Sequence, residues 1–356
     1  MSIRQSCNML PYLIASCLCF CFICVQQKTL RSRAVVIPLA ILTLPAALRN
    51  YTVGTDSVVY SREFRFPYRH YSFEWNPEIE KGYQWVILLL KSLHSDYAVY
   101  FMTMAVLCIA PVLLVLKKRS PHYFLSVYVF VTFGLYFALY NQVRQAIAMG
   151  ICFIAIKYLV EKKAVKYALL IALASQFHIS ALLLLGFYFL CHLRVRLELK
   201  VAAIFLIGLS VTSLVIAFMA AGNGRYQHYT LAAASGKNGL MTVLLYVAIA
   251  LGLYIYGRKL RKRSEEYRVL ECSYLCGIAA LIPVAMLGTD PAGPQRIAQY
   301  FVYYLMLLIP MVLKEINRRW LTLCFCLGAY AYFLLLMANN IGGIYPWKIN
   351  DAFNLF

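Results

Sequence analysis

Residues 166–194 read KYALLIALASQFHISALLLLGFYFLCHLR. A membrane crossing takes ~20 mostly apolar residues, so this run is long for one crossing and short for two. Its centre, Gln176-Phe177-His178, places two polar side chains in an otherwise apolar stretch. The topology turns on how the run is read. As two short helices reversing at the break, it gives about twelve spans with both termini outside. As one helix it gives eleven, and the basic cluster Arg258/Lys259/Arg261/Lys262/Arg263 then falls outside.

The flanking charges favour twelve. Ten further apolar runs qualify as spans: 9–25, 34–48, 97–116, 123–140, 142–160, 201–221, 240–256, 269–287, 297–313 and 320–337. The linkers between them alternate. One set is short and basic: Lys28/Arg31/Arg33, Lys117/Lys118/Arg119, Lys162/Lys163/Lys166, Arg194/Arg196/Lys200, Arg258–Arg263 and Lys314/Arg318/Arg319. The other set is longer and mixed in charge: 49–96, 222–239, 288–296 and 339–356. The excess of Lys and Arg in cytoplasmic loops places the basic set inside.

Composition agrees. The chain has 356 residues, 62% apolar and 13% charged, with a mean hydropathy of +0.70. That excludes an ordinary soluble enzyme, and 15% aromatic residues exclude a disordered chain. The net charge of +20 would suggest nucleic acid in a soluble protein. Here most of it lies in the basic linkers, so no nucleic-acid partner is expected. The expectation is an all-α polytopic protein, residues 1–356 forming one integral membrane domain. Residues 49–96 would be its outer loop, with an interfacial helix near 78–93. The first apolar run reads as a retained span, because Cys24-Val25-Gln26 is a poor signal-peptide cleavage site. The cysteines fall mostly inside spans and read as small apolar residues rather than a disulfide framework.

Polar groups at membrane depth are costly, which makes each a functional candidate. Six of the fourteen acids (Asp56, Glu63, Glu74, Glu78, Glu80, Asp96) fall in the 49–96 loop beside Trp75 and Trp85. Carboxylates accept sugar hydroxyls and rings stack on sugar faces; a solvated loop with an interfacial aromatic belt reads the same way. Asn141, Arg144, Gln145 and Ala148 follow i, i+3, i+4, i+7, one face of a helix. Arg144 near an outer helix end needs a carboxylate or a ligand phosphate, or snorkels to headgroups. His178 coincides with the break, where freed backbone groups must line protein or water. Arg296 follows a Gly/Pro-rich turn and shares a helical face with Tyr300 and Tyr303, with Asp290 as its simplest partner. No nucleotide-binding or zinc spacing occurs, so a donor substrate is expected to arrive from the membrane.

Five short pieces, in order, carry a resemblance: Arg49-x4-Gly54-Thr55-Asp56-x3-Tyr60, Glu80-x-Gly82-Tyr83, Asn141-x2-Arg144-Gln145-x2-Ala148, Ala174-x3-His178-x-Ser180-Ala181, and Arg296-x3-Tyr300-Phe301. Together they resemble the EpsG family of Wzy-type O-antigen and exopolysaccharide polymerases. The tail after residue 314 carries no recognisable motif. The resemblance implies a glycosyltransferase of the bacterial cytoplasmic membrane, with a GT-C-like arrangement among the candidates. It would move a growing glycan from undecaprenyl diphosphate to a sugar hydroxyl of the next lipid-linked repeat unit. Arg49, Arg144 and Arg296 would bind the diphosphate. Asp56, Glu80 and His178 would be candidates for the base. Asn141, Gln145 and Tyr300 would position substrate. No cofactor is required, although Asp56 and Glu80 could hold a divalent cation. A separate chain-length regulator is an expected partner. A lipid-linked oligosaccharide flippase and an O-antigen ligase are the rival readings. A flippase would spread polar groups across both halves of the membrane or show repeats.

Overall fold

A computed structural model describes residues 3–66, 73–93, 96–222, 239–286 and 294–353. These residues are mostly helical and contain no strand; Arg49 and Ile349 form one isolated antiparallel bridge. Five helices are long and apolar enough to cross a membrane, or seven if each of two bent pairs is one crossing. Four shorter apolar helices accompany them. The chain divides into two compact units. The first comprises residues 1–157, 165–182 and 317–356, and the second residues 158–164 and 183–316.

The first unit contains α1 (Ile3–Thr29), α2 (Val36–Ala47), α3 (Ser57–Arg65), α4 (Lys81–Ser92), α5 (Tyr97–Arg119), α6 (Tyr123–Thr132), α7 (Ala138–Asn141), most of α8 (Val143–Val160) and nearly all of α9 (Ala164–Ser175). Its centre is α5, which packs on α2, α3 and α6. Phe101, Met104, Ile109, Val112, Leu113 and Leu116 of α5 are buried. Arg33 caps this helix, donating from Nη1 to the carbonyls of Lys117 and Ser120, both at 2.9 Å. A cation on orphan C-terminal carbonyls complements the helix dipole.

The apolar run 123–140 is not straight. It bends by 60° between α6 and a 3-10 turn at Leu135–Phe137. A second interruption follows at Gln142, whose φ of −142° and ψ of 45° end α7. Asn141 therefore closes one helix while Arg144 and Gln145 open the next. The continuous face predicted for Asn141, Arg144, Gln145 and Ala148 exists only from Arg144 onward.

In the run 166–194, α9 stops at Ser175, and a 3-10 turn at Ile179–Leu182 follows the Gln176–His178 break. The second helix of that run, α10 (Leu183–His192), belongs to the second unit. With it are α11 (Leu197–Gly222), α12 (Leu240–Tyr256), α13 (Arg258–Arg263), α14 (Glu265–Met286), α15 (Gln299–Val302) and α16 (Leu305–Ile316). The spine of this unit is α14, packed on α10, α11, α12 and α16. Its Glu271 is fully buried and takes both oxygens to Arg261, at 2.5 Å from Nε and 2.6 Å from Nη2. A basic residue counted as a topology signal is thus also a structural one. The predicted span 297–313 is a bent pair at 45°, so Arg296, Tyr300 and Tyr303 do not share one straight helix. Arg296 lies in the 3-10 turn Pro294–Ala298 that precedes α15.

The last helix, α17 (Arg319–Ala338), returns to the first unit and is followed by the tail 339–353. This tail is stitched to the loop after α2. Asn50 N donates to Lys348 O at 2.8 Å, Asn350 N to Leu48 O at 2.8 Å, and Gly54 N to Gly343 O at 2.8 Å. Trp347 Nε1 adds a bond to Pro45 O at 3.0 Å.

Candidate active site

Two short connections of the first unit carry most of the singled-out residues. The first runs from Arg49 to Asp56. Arg49 is buried and its guanidinium lies 3.8 Å from the Phe101 ring centroid and 4.3 Å from that of Tyr140. Nη1 donates to Ala46 O at 2.8 Å, Nη2 reaches Ser57 Oγ at 3.4 Å, and Nε has no hydrogen-bond partner. Burial pulls the Arg49 pKa down, against the pull of the hydroxyls of Tyr140, Tyr12, Tyr100 and Tyr136. Stacking between two rings is a geometry that guanidinium accepts because it is weakly hydrated. Arg49 thus ties the end of α2 to the start of α3.

Five residues on, the Thr55 hydroxyl lies 3.0 Å from Asn141 Oδ1 and 3.3 Å from Asp56 Oδ1. One hydroxyl hydrogen serves one acceptor well, and the shorter contact is to Asn141. Asp56 is half-buried, at the start of α3, with no side-chain capping bond to that helix. Asn141 is buried, and Gly342 of the tail packs against it. A Cβ at Gly342 would fall 2.2 Å from Asn141 Nδ2, and Gly342 has a φ of +86°. Both observations require glycine there.

The second connection runs from Trp75 to Gln84. Gln84 Nε2 donates to Asn76 O at 2.8 Å and to Ile79 O at 2.6 Å, and its Oε1 accepts from Asn76 N at 2.9 Å. One buried amide therefore fixes the loop that leads to Glu80. Glu80 precedes α4 and forms an ion pair with Arg144 Nη1 through Oε2. Its other oxygen, Oε1, accepts from Ile179 N at 3.2 Å, next to His178. The two side chains are 10% and 16% exposed, Arg144 being the more buried. Tyr60 also bonds to the Arg144 guanidinium, and the Tyr83 ring lies 5.9 Å from it. Tyr83 shares a hydrogen bond with Tyr100 at 2.8 Å, and burial pushes its hydroxyl pKa up.

Gly82 seats α4 against the break. Tyr83 N donates to Gln176 O at 3.2 Å, and a Cβ on Gly82 would lie 2.7 Å from that same carbonyl. His178 is half-buried; its Nδ1 lies 2.6 Å from Ser180 Oγ. Three of the short sequence pieces, at 80–83, 144–145 and 174–181, therefore meet at one place. The sequence profile of the EpsG family matches residues 33–349 of this chain.

The chain belongs to the EpsG family. No curated protein and no solved structure matches it. Its apolar helices and its EpsG membership together fit a membrane protein with several spans. The match ends at Ile349, so it takes in the tail that pairs with residues 48–54.

The EpsG pieces are unevenly distributed between the two units. Arg49, Asp56, Glu80, Asn141, Arg144, Gln145 and His178 are in the first. Gln145 is buried beside Arg144 at the start of α8. Arg296 and Tyr300 are in the second, Arg296 half-buried and Tyr300 at 2% exposure. Gly288, Thr289 and Asp290, which repeat the tripeptide at 54–56 and include the expected partner of Arg296, lie outside the described residues. Among the described residues no group of three or more His, Cys, Asp or Glu side chains converges as a metal site. The packing of the tail against Asn141 was missed in the sequence. The doublet Gly342-Gly343 was the available signal, since paired glycines mark a turn with special backbone angles.

Proposed function

We propose that this EpsG-family chain is a polysaccharide polymerase on the outer face of the bacterial cytoplasmic membrane. It transfers a growing glycan from undecaprenyl diphosphate to a sugar hydroxyl of the next lipid-linked repeat unit. The observation that carries the reading is the Arg144–Glu80 pair at the start of α8, joined to the backbone beside His178. The chemistry needs a fixed cation where a diphosphate leaves. Glu80 and Tyr60 hold the guanidinium in place before substrate arrives, and a guanidinium has five donors, enough to serve both and a phosphate oxygen.

In this proposal the acceptor hydroxyl attacks the anomeric carbon of the donor as its bond to the diphosphate breaks. The hydroxyl proton passes to Asp56, a half-buried carboxylate at the start of α3 beside Thr55. The charge on the departing diphosphate is met by Arg144. Arg296 keeps the same role from its place in the family motif. Glu80 positions Arg144, His178 orients phosphate or acceptor, and Asn141, Gln145 and Tyr300 position substrate. Arg49, enclosed by rings, holds the 49–57 loop that carries Asp56. A divalent cation at Asp56 is an optional addition, and a chain-length regulator is the expected protein partner. The short apolar helices belong to the membrane layer in this reading. That gives about twelve spans in a GT-C-like arrangement, with α4 at the outer interface.

Reconstitution with a purified lipid-linked repeat unit is the test. A ladder of products supports the polymerase. Transfer to a different acceptor lipid without a ladder means a ligase, and movement across the bilayer without product means a flippase.

A further inference from the structure

Outside the ion pair, the loop before α4 presents an aromatic cluster. Trp75 and Trp85 are 48% and 60% exposed, their rings edge to face at 5.2 Å, with Phe73 edge-on to Trp75 at 5.1 Å. The cluster is rigid for the reason given above: Gln84, next to Trp85, clamps the loop carrying Trp75. Glu74 and Glu78 are exposed around it. The same loop ends at Glu80, so the cluster and the ion pair share one stiff piece of chain.

The exposed face of α4 grades from charged to apolar. Lys81, Trp85, Leu89 and Leu93 follow at i, i+4, i+8 and i+12, with Leu89 60% and Leu93 66% exposed. The stripe is charged at one end and fully apolar at the other, and the indoles sit at the change. In the polymerase reading that change marks headgroup depth, where the first sugars on a lipid diphosphate lie. Ring faces accept the apolar faces of sugars and carboxylates accept their hydroxyls, whereas exposed carboxylates disfavour an anionic lipid surface.

We propose that the Trp75–Trp85 pair is a saccharide-stacking platform that grips the growing glycan between transfers and sets product length. This rests on the polymerase reading and assigns that site a hold on the chain. The ligand is a hydroxyl-rich glycan, not a polyanion.

The test is a pulse-chase in proteoliposomes: labelled lipid-linked repeat units, then excess unlabelled units, with product length read on a gel. Trp75→Ala and Trp85→Ala release the chain about three- to tenfold more often per transfer, and ladders shorten accordingly. Trp75→Tyr and Trp85→Tyr, which keep a ring face, restore most of the length. Trp320→Ala, an exposed tryptophan of α17, leaves length unchanged. Unchanged ladders in both platform alanine variants overturn the platform while the polymerase stands. A wild-type protein that makes no ladder overturns the polymerase and the platform with it. Lipids brominated on their acyl chains provide a second measurement. Strong quenching of fluorescence from both Trp75 and Trp85 places the rings in hydrocarbon as a membrane anchor, which overturns the platform; weak quenching supports it.

Discussion

Glu80 and Arg144 can be separated and then removed together, and the two experiments have different expected energies. Glu80→Ala leaves Arg144 enclosed without its carboxylate. Removing one member of a buried pair costs ~3–5 kcal/mol, because the remaining charge is stranded. At 10% and 16% exposure the pair is partly screened by water, so the cost should fall at ~2–4 kcal/mol. The lost acceptor for Ile179 N adds little, since Ile179 is 53% exposed and water replaces it. Arg144→Ala strands Glu80 and costs a similar amount. The double variant strands neither charge, so its cost should be smaller than the sum by ~1–3 kcal/mol. Glu80→Gln, which keeps an oxygen for Arg144, should fall between wild type and Glu80→Ala. The assay is reversible unfolding in mixed micelles with increasing denaturing detergent, the four proteins side by side. Additivity within about 0.5 kcal/mol would refute the reasoning: the two groups would then be neighbours without energetic coupling.

Arg261→Ala should destabilise the protein by ~3 kcal/mol, because it strands Glu271 at 0% exposure, while Lys259→Ala should stay within about 0.5 kcal/mol; the same unfolding assay reads both. Gly342→Ala must take a φ of +86° and push Asn141 aside, so a loss of ~1–3 kcal/mol is expected, with short or absent polymer in a complementation assay; full-length polymer would show that the tail does not set the position of Asn141. Arg144→Ala and Arg296→Ala should each abolish long-chain glycan while the protein still accumulates in the membrane, and normal chain length in both would remove the diphosphate role. A single cysteine introduced between Arg258 and Arg263 should resist impermeant maleimide in intact cells, and labelling from outside would reverse the assignment of faces.

The helical elements were largely legible because apolar periodicity and basic linkers are local signals. The break at Gln176–His178 was legible for the same reason: polar side chains interrupt an apolar run. The bends were not. The apolar runs were divided at residue 141, but Tyr-Asn-Gln-Val-Arg carries no glycine or proline to mark which side Asn141 falls on, and the i, i+3, i+4, i+7 pattern placed it on the wrong helix. Partners were not legible either. That Glu80 meets Arg144, 64 positions away, is a tertiary outcome, and the tail joins residues 48–54 through backbone bonds that leave no trace in side-chain type.

The basic residues illustrate how function separates from topology once neighbours are known. Arg33, Arg49 and Arg261 are engaged by backbone, rings or a buried acid of their own unit. Arg144 differs in kind: it is buried at the start of α8, and its acid, Glu80, has its other oxygen committed to the 176–179 break. Moving the loop that leads to Glu80 would free the Glu80 side of Arg144 and the backbone beside His178 together, with Tyr60 still on the guanidinium. A diphosphate that takes a further donor of the guanidinium would therefore act on the group that Glu80 positions, and through Glu80 on the loop joined to the break. This couples ligand charge to the position of α4, and to the indoles it carries, without any additional moving part.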